Sequence, residues 1–396
     1  MIVAISIRNF KGIRAIDKIS LSDFHVLVGP NGSGKTTFLD AIDFVRDCLT
    51  MNPAAAVEAR NIADFDDLTW FRRGGPIEIE LWLDLGHSLR SLQGQNLHYR
   101  LAIRKDERLG VCVHDELLEI EPKDGTRLRP LLGKTERGND FYWREAPGTT
   151  QESFNFGLNK VALALIPPDE ERYPTGNAVK QFLMQGIRYI QLNSPAMRLP
   201  CPATRSTELE LDGTNLARVV GSRLTRSSGH ETVWAEKGTD IAFWAEHLRY
   251  ALPDLQKIGW ARRQADNAEY LLLRYDSGLE IPSWLLSDGT LRMLALTLPA
   301  FLPADDAVYM VEEPENGVHP RALEIILRSL SSIPGAQMFL ATHSPFVVQQ
   351  CGYESLLCFQ RDDEGTHILS GARHPAFEHW DGSPDLGTIF AAGVLE

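Results

Sequence analysis

Nothing limits what this chain can fold into as much as residues 29–36, Gly29-Pro30-Asn31-Gly32-Ser33-Gly34-Lys35-Thr36, which spell G-x-x-x-x-G-K-[ST]. The run follows a short apolar strand, Val26-Leu27-Val28, and opens a segment in which Phe38, Leu39, Ile42, Val45 and Leu49 recur at helical spacing. Strand, glycine loop and helix in that order make one α/β unit. Glycines at 29, 32 and 34 let the backbone curl until successive N–H groups face one anion, and the helix adds its positive end. Lys35 then reaches the β- and γ-phosphates of a nucleotide, and the Thr36 hydroxyl is a ligand for Mg²⁺. Asn31, Gly32, Ser33, Gly34 and Thr37 complete the expected phosphate cradle. A plain glycine turn would explain the loop but not the strand and helix on either side.

Three further sites follow from the pattern. Val308-Tyr309-Met310-Val311 reads as a buried strand ending in Glu312-Glu313, and two carboxylates there are costly unless a cation receives them. Glu312 is therefore the expected Mg²⁺ ligand, and Glu313 the group that polarises an attacking water. His343 stands just after AQMFLAT, at the end of a strand expected beside the first, where a ring N–H can sense a γ-phosphate; a structural histidine is the even alternative. Leu286-Ser287-Asp288-Gly289-Thr290 precedes a helical run, so Ser287 and the Gly289 N–H form a second anion site at a helix start. One chain with two such sites suggests that the second meets the nucleotide of another subunit, closing a two-fold dimer over two ATPs. A simple serine N-cap is the plainer reading. Gln191, in RYIQLNSPAMR, is the candidate for the glutamine that links nucleotide to the rest of the head in the ABC-type ATPase heads these motifs resemble, with a structural or solvated side chain equally open; Arg198 in the same loop can also reach phosphate.

The rest of the chain sorts by period. Ile77, Ile79, Leu81 and Leu83 alternate with Glu78, Glu80, Trp82 and Asp84, so 76–166 is expected to be an antiparallel β insertion with one solvated face. Longer mixed segments, including DGTNLARVVGSRL with Thr214 as a possible cap and IAFWAEHLRYAL, make 167–266 a mainly helical insertion. From 267 strands and helices alternate again, which gives a split core of 1–75 and 267–396 built on a mixed sheet.

Composition excludes more than it selects. The start has no charged n-region with an apolar h-region, and the longest apolar stretch, near 293–302, cannot span a bilayer. A cytoplasmic protein without membrane contact is expected. Cys48, Cys112, Cys201, Cys351 and Cys358 form no CxxC pair, so reduced structural thiols are expected. A net charge of −13 argues against an overall basic surface but leaves local stripes open: Arg72 and Arg73, Arg100, Arg104 and Lys105, Arg262 and Arg263 are candidate nucleic-acid contacts, with solvated surface cations as the favoured alternative.

Taken together, GPNGSGKTT, LSDGT, YMVEE and His343 in this order resemble the ABC-type ATPase head group that includes SMC proteins, RecF and the OLD family, over residues 1–75 and 267–396. IRNFKGI resembles the first strand pair of RecF and SMC heads, and EEPENGVHP is similar to the OLD and RecF-like branch. Glu312 stands where many relatives have Asp, and Asp288 where transporters have Gly. The resemblance implies an α/β P-loop NTPase using ATP and Mg²⁺, hydrolysing ATP and closing as an ATP-sandwiched homodimer. The stretch after His343 is too short for the TOPRIM nuclease domain that OLD proteins carry. It resembles stand-alone ATPases that sense for a separate effector, often a TOPRIM-like nuclease, in two-gene anti-phage systems; LGTIFAAGVLE is similar to their tails. A RecF-like ATPase loading on DNA in repair is the runner-up, and a transporter ATPase ranks last.

Overall fold

The computed structural model describes residues 1–395 apart from 87–88, 90–91, 123–127, 135–140, 146–151, 155–156, 225–231, 304–305 and 378–384. At its centre is a six-stranded sheet in the spatial order Ile187–Ile190, Val308–Glu312, Gln337–Ala341, Phe24–Val28, Leu356–Asp362, Gly365–Ser370. The first five strands run parallel and the last closes antiparallel. The parallel strands are buried on both faces, which is why Val26-Leu27-Val28 and Val308-Tyr309-Met310-Val311 read as unbroken apolar runs.

The helix Lys35–Thr50 lies on one face of this sheet, packing Phe38, Leu39, Ile42 and Val45 onto Leu27, Met310 and Phe339. Its other side meets an eight-stranded antiparallel sheet that begins with Ile2–Phe10 and Ile13–Ser20 and continues through Ile77–Leu83, Gln95–Asp106 and Gly110–Pro122 to three shorter strands. The opposite face of the central sheet is covered by Asp288–Thr297, Pro320–Ser331 and Pro345–Gln349, in a second core shared with a four-stranded antiparallel sheet, Thr232–Trp234, Leu255–Arg262, Glu269–Tyr275 and Glu280–Pro282.

Three points of the expected organisation are refined. The segment 167–266 holds more helix than strand, but it also supplies Ile187–Ile190, an edge of the central sheet, and two strands of the four-stranded sheet. The first twenty residues pair with the antiparallel sheet, through Ile7 opposite Ile79 and Ile5 opposite Leu81, and not with the central one. Thr214 is no cap: the helix Leu216–Arg223 starts after Asn215, and the Thr214 hydroxyl bonds to Asp212 at 2.7 Å. Gln337 stitches the two large sheets together, its amide accepting from Ile2 N at 2.9 Å and donating to the carbonyls of Ile2 and Ser22 at 2.7 and 2.8 Å. The five cysteines are free thiols. Among the described residues no helix is long and apolar enough to cross a membrane.

Candidate functional site

Parallel register brings the expected residues to one edge of the central sheet. Glu312 pairs with Ala341 and Ala341 with Leu27, while Ile190 pairs with Val311, so Gln191, Glu312, Thr342 and the loop after Val28 all leave the sheet at the same end. This is the carboxyl end, where ligands of open α/β sheets bind.

The loop 29–36 has the conformation its glycines allow. Gly29 and Gly34 take φ of 142° and 111°, and both are packed: a Cβ on Gly29 would lie 2.2 Å from the carbonyl oxygen of Phe359, and one on Gly34 2.6 Å from Thr366 Oγ1. Gly34 precedes the helix Lys35–Thr50 without a capping side chain, and the first turn carries no acid, so the first amides have no side-chain acceptor and the helix end keeps its affinity for an anion. The Lys35 ammonium arches over the loop to the carbonyls of Gly29 and Pro30 at 2.7 and 3.0 Å. Ser33 is buried with its hydroxyl unpartnered. Arg361, which no sequence signal singled out, donates to the Gly32 carbonyl at 3.2 Å. Thr36 is exposed at the loop's mouth, as are Asn31 and Gly32.

Beside the loop, Glu312 is half-buried with Oε1 unpartnered, and it holds the Tyr189 hydroxyl; burial and that carboxylate push the phenol well above its ordinary pKa. Glu313 is exposed and left-handed, with φ of 46°, a conformation that costs a non-glycine residue about 1–3 kcal/mol and persists only where neighbours impose it. Its N–H donates to Ala341 O at 2.8 Å, and its carbonyl accepts from Asn316 N at 2.9 Å and from Arg292 Nη2 at 3.3 Å. Burial lowers the pKa of Arg292 against the pull of Glu313, Asp288 and Glu315. Gln191, Glu312, Glu313, Arg292 and Asn316 line one cleft of 310 Å³.

Glu315 is a further member that the motif contained without revealing. Its Oε1 accepts from Thr342 Oγ1 at 2.8 Å and from His343 N at 3.0 Å, and Oε2 is buried without a partner. The His343 side chain is exposed on the turn so fixed. Ser287 is the N-cap of Asp288–Thr297, accepting from Thr290 N at 3.2 Å, and is exposed. Arg198 pairs with Asp288 at 2.6 Å, which places it at the start of this helix instead of on the phosphate loop. Gly289 touches the Gly317 carbonyl: a Cβ there would stand 2.6 Å from the oxygen.

Beneath the loop, the helix Lys35–Thr50 carries Asp40, Asp43 and Asp47 one above another. Lys11 and Arg60 meet Asp40 at 2.6 and 2.7 Å, Arg60 meets Asp47 at 3.0 Å, and Arg46 bridges Asp43 and Asp47 at 2.7 Å each. Burial pushes Asp43 up to about 7. The network fastens the helix to the segments 11 and 60 on either side of it.

No cluster of three or more acidic, histidine or cysteine side chains capable of holding a metal occurs among the described residues. Thr36 and the unpartnered oxygen of Glu312 nonetheless suit Mg²⁺, which is usually held by one or two protein oxygens with waters and substrate phosphates supplying the rest.

The central sheet and its flanking layers are those of an SMC-like P-loop head. An Smc head solved with the C-winged helix domain of ScpA is 13% identical, with a TM-score of 0.54 over 93% of this chain and 97% of that one. An Smc head with an extended coiled coil, bound to the C-terminal domain of ScpA derived from Pyrococcus furiosus, is 12% identical, with a TM-score of 0.51 over 93% and 95%. No curated protein matches the sequence. Residues 24–349 match the family described as "AAA domain, putative AbiEii toxin, Type IV TA system", and since the match takes in most of the chain, this protein is a member of that family of P-loop ATPase-type proteins.

Proposed function

We propose that the chain is an ATP-hydrolysing dimeric switch and the sensing subunit of an anti-phage defence system that acts with a separate effector, a TOPRIM-like nuclease. The observation that carries the enzymatic part is the convergence of Gln191, Glu312 and Glu313 on one cleft at the sheet edge where the phosphate loop leaves. In this reading the loop amides and Lys35 bind the phosphates, and Thr36 and Glu312 hold Mg²⁺, which when bound neutralises charge on the β- and γ-phosphate oxygens. Glu313 orients the attacking water and accepts its proton, held in place by the three backbone bonds around it. His343, on a turn clamped by Glu315, contacts the γ-phosphate and reports its presence. Ser287 and Gly289 complete the site of a second copy. The chain works in the cytoplasm and needs no membrane.

The family description, "putative AbiEii toxin, Type IV TA system", supports a role with a cognate partner, as do the Smc heads solved with ScpA domains. The RecF-like alternative is less supported. Arg72, Arg100, Arg104, Lys105, Arg262 and Arg263 each pair with a nearby carboxylate, Asp67, Asp115, Asp106, Asp64, Glu269 and Asp266 respectively, and Arg73 stacks on Trp70. Cations already paired with carboxylates make a poor phosphate-binding stripe.

The test is a pull-down of ATP-loaded Glu313→Gln protein from native cells. A co-purified nuclease-like protein supports the sensor reading; DNA without a protein partner would replace it with repair.

A further inference from the structure

The phosphate loop has two flanks. Glu312 and His343 stand on one side of the strand Phe24–Val28; on the other lie Leu356–Asp362 and Gly365–Ser370. This second flank reaches the loop directly. Arg361 bonds to Gly32, and Thr366, 1% exposed, packs on Gly34. The next residue, Gly365, faces Trp70: a Cβ on it would lie 3.6 Å from the indole nitrogen. Trp70 is thus one residue's step from the loop.

Trp70 belongs to a surface knuckle of unusual build. Its ring meets that of Phe71 edge-on at 4.6 Å, and the guanidinium groups of Arg73 and Arg14 lie 4.5 and 5.3 Å from its centre. Phe71 is 63% exposed. Phe71 and Arg72 are both left-handed, with φ of 50° and 57°, a rare state for two successive non-glycine residues. The surroundings impose it. Asn9 accepts from Trp70 N and donates to the carbonyls of Gly74 and Pro76, each at 3.0 Å, and the buried Thr69 hydroxyl accepts from Gly74 N at 3.0 Å while donating to Asp66 O at 2.7 Å. A backbone clamped into a costly conformation to hold an aromatic ring in water points to a ligand.

Resting on the reading of residues 29–36 as the phosphate cradle, we propose that the Trp70–Phe71 knuckle is the platform on which the purine base of the bound nucleotide stacks, with Arg73 as its cationic flank and Arg14, which pairs with Glu364, beside it. Once the γ-phosphate faces Glu312 and Glu313, the ribose and base leave the loop on the opposite side, over Thr366 and toward Trp70. Aromatic and guanidinium faces bind any nucleobase through its π surface.

Two probes separate base from phosphate: ATP and inorganic tripolyphosphate, each titrated with magnesium by calorimetry into the full chain and into Phe71→Ala. Loss of one stacking face weakens ATP by roughly tenfold or more, leaves tripolyphosphate unchanged, and is reversed by Phe71→Tyr. Unchanged ATP affinity, or equal weakening of both probes, overturns the platform. If the unsubstituted chain binds neither probe, it is the phosphate-cradle reading that fails, and the platform with it.

Discussion

The backbone amide of His343 donates to the side chain of Glu315 at 3.0 Å, so the turn that carries the exposed imidazole is tied to the loop that carries Glu313. Removing the carboxylate should free that turn without touching the phosphate loop. Glu315→Ala is expected to lower kcat by about 10- to 100-fold, since misplacements near 1 Å cost rates of that order, while ATP affinity stays close to its original value. Glu315→Gln retains an oxygen for both donors and should recover most of the rate. Single-turnover hydrolysis beside equilibrium nucleotide titration distinguishes the two effects, and an unimpaired alanine variant would remove His343's tether from the mechanism.

Gly289 and Gly317 make the second tie, between the helix Asp288–Thr297 and the same loop. Gly289→Ala puts a methyl group against a carbonyl oxygen at 2.6 Å, with backbone on both sides and nothing flexible to yield. Destabilisation of about 1–3 kcal/mol is expected, as for overpacked cores, with ATP turnover reduced below the melting transition as well. Urea unfolding and steady-state ATPase assays test both halves; a variant of full stability would show that the two segments slide.

Ser287→Arg addresses the proposed shared site. The serine is exposed, caps the helix and bonds the Thr290 hydroxyl at 2.8 Å, and loss of the cap costs about 1 kcal/mol. In a Glu313→Gln background, ATP should drive dimerisation of the parent and not of the arginine variant, read by light scattering. Equal dimerisation would mean that the helix start does not meet a second nucleotide.

Acidity gives a prediction with a fixed sign. Asp43 ionises near its ordinary value of 3.8 when unfolded but only near about 7 when folded. Between those values the folded chain binds more protons, so this group's contribution lowers stability as pH rises from about 4 to about 7 and is constant above. Asp43→Asn removes that slope. The melting temperature of the variant should gain on the parent across this window, while Glu116, also raised to about 7 by burial, is common to both and cancels. A difference independent of pH would show that Asp43 is charged throughout, held by Arg46.

What the sequence revealed and what it hid divide by range. The phosphate loop, its helix and the Glu312-Glu313 strand end were legible because each is a local pattern whose chemistry demands adjacent residues. Gln191 follows an expected strand, and the register of Ile190 beside Val311 explains why it lines the same cleft as Glu312. The same strand was lost in the domain division: four residues, Ile187–Ile190, follow directly on a helix and its π-turn, too few to show a period of two. Likewise Ile2–Phe10 reads as a strand, but nothing local says that its partner is Ile77–Leu83. Arg361 and Thr366 carry no signal at all, since their value lies in backbone contacts with residues 32 and 34.

The strand that ends in the phosphate loop lies between Gln337–Ala341 and Leu356–Asp362. During synthesis it leaves the ribosome well before either neighbour. A nascent chain therefore carries an unsupported glycine loop and an apolar strand with two open edges until both neighbours have been made. Such edges invite pairing with other chains, and closing them waits on contacts of high sequence separation, which form slowly. Chains truncated before Gln337 should therefore leave the glycine loop unsupported and be prone to aggregate.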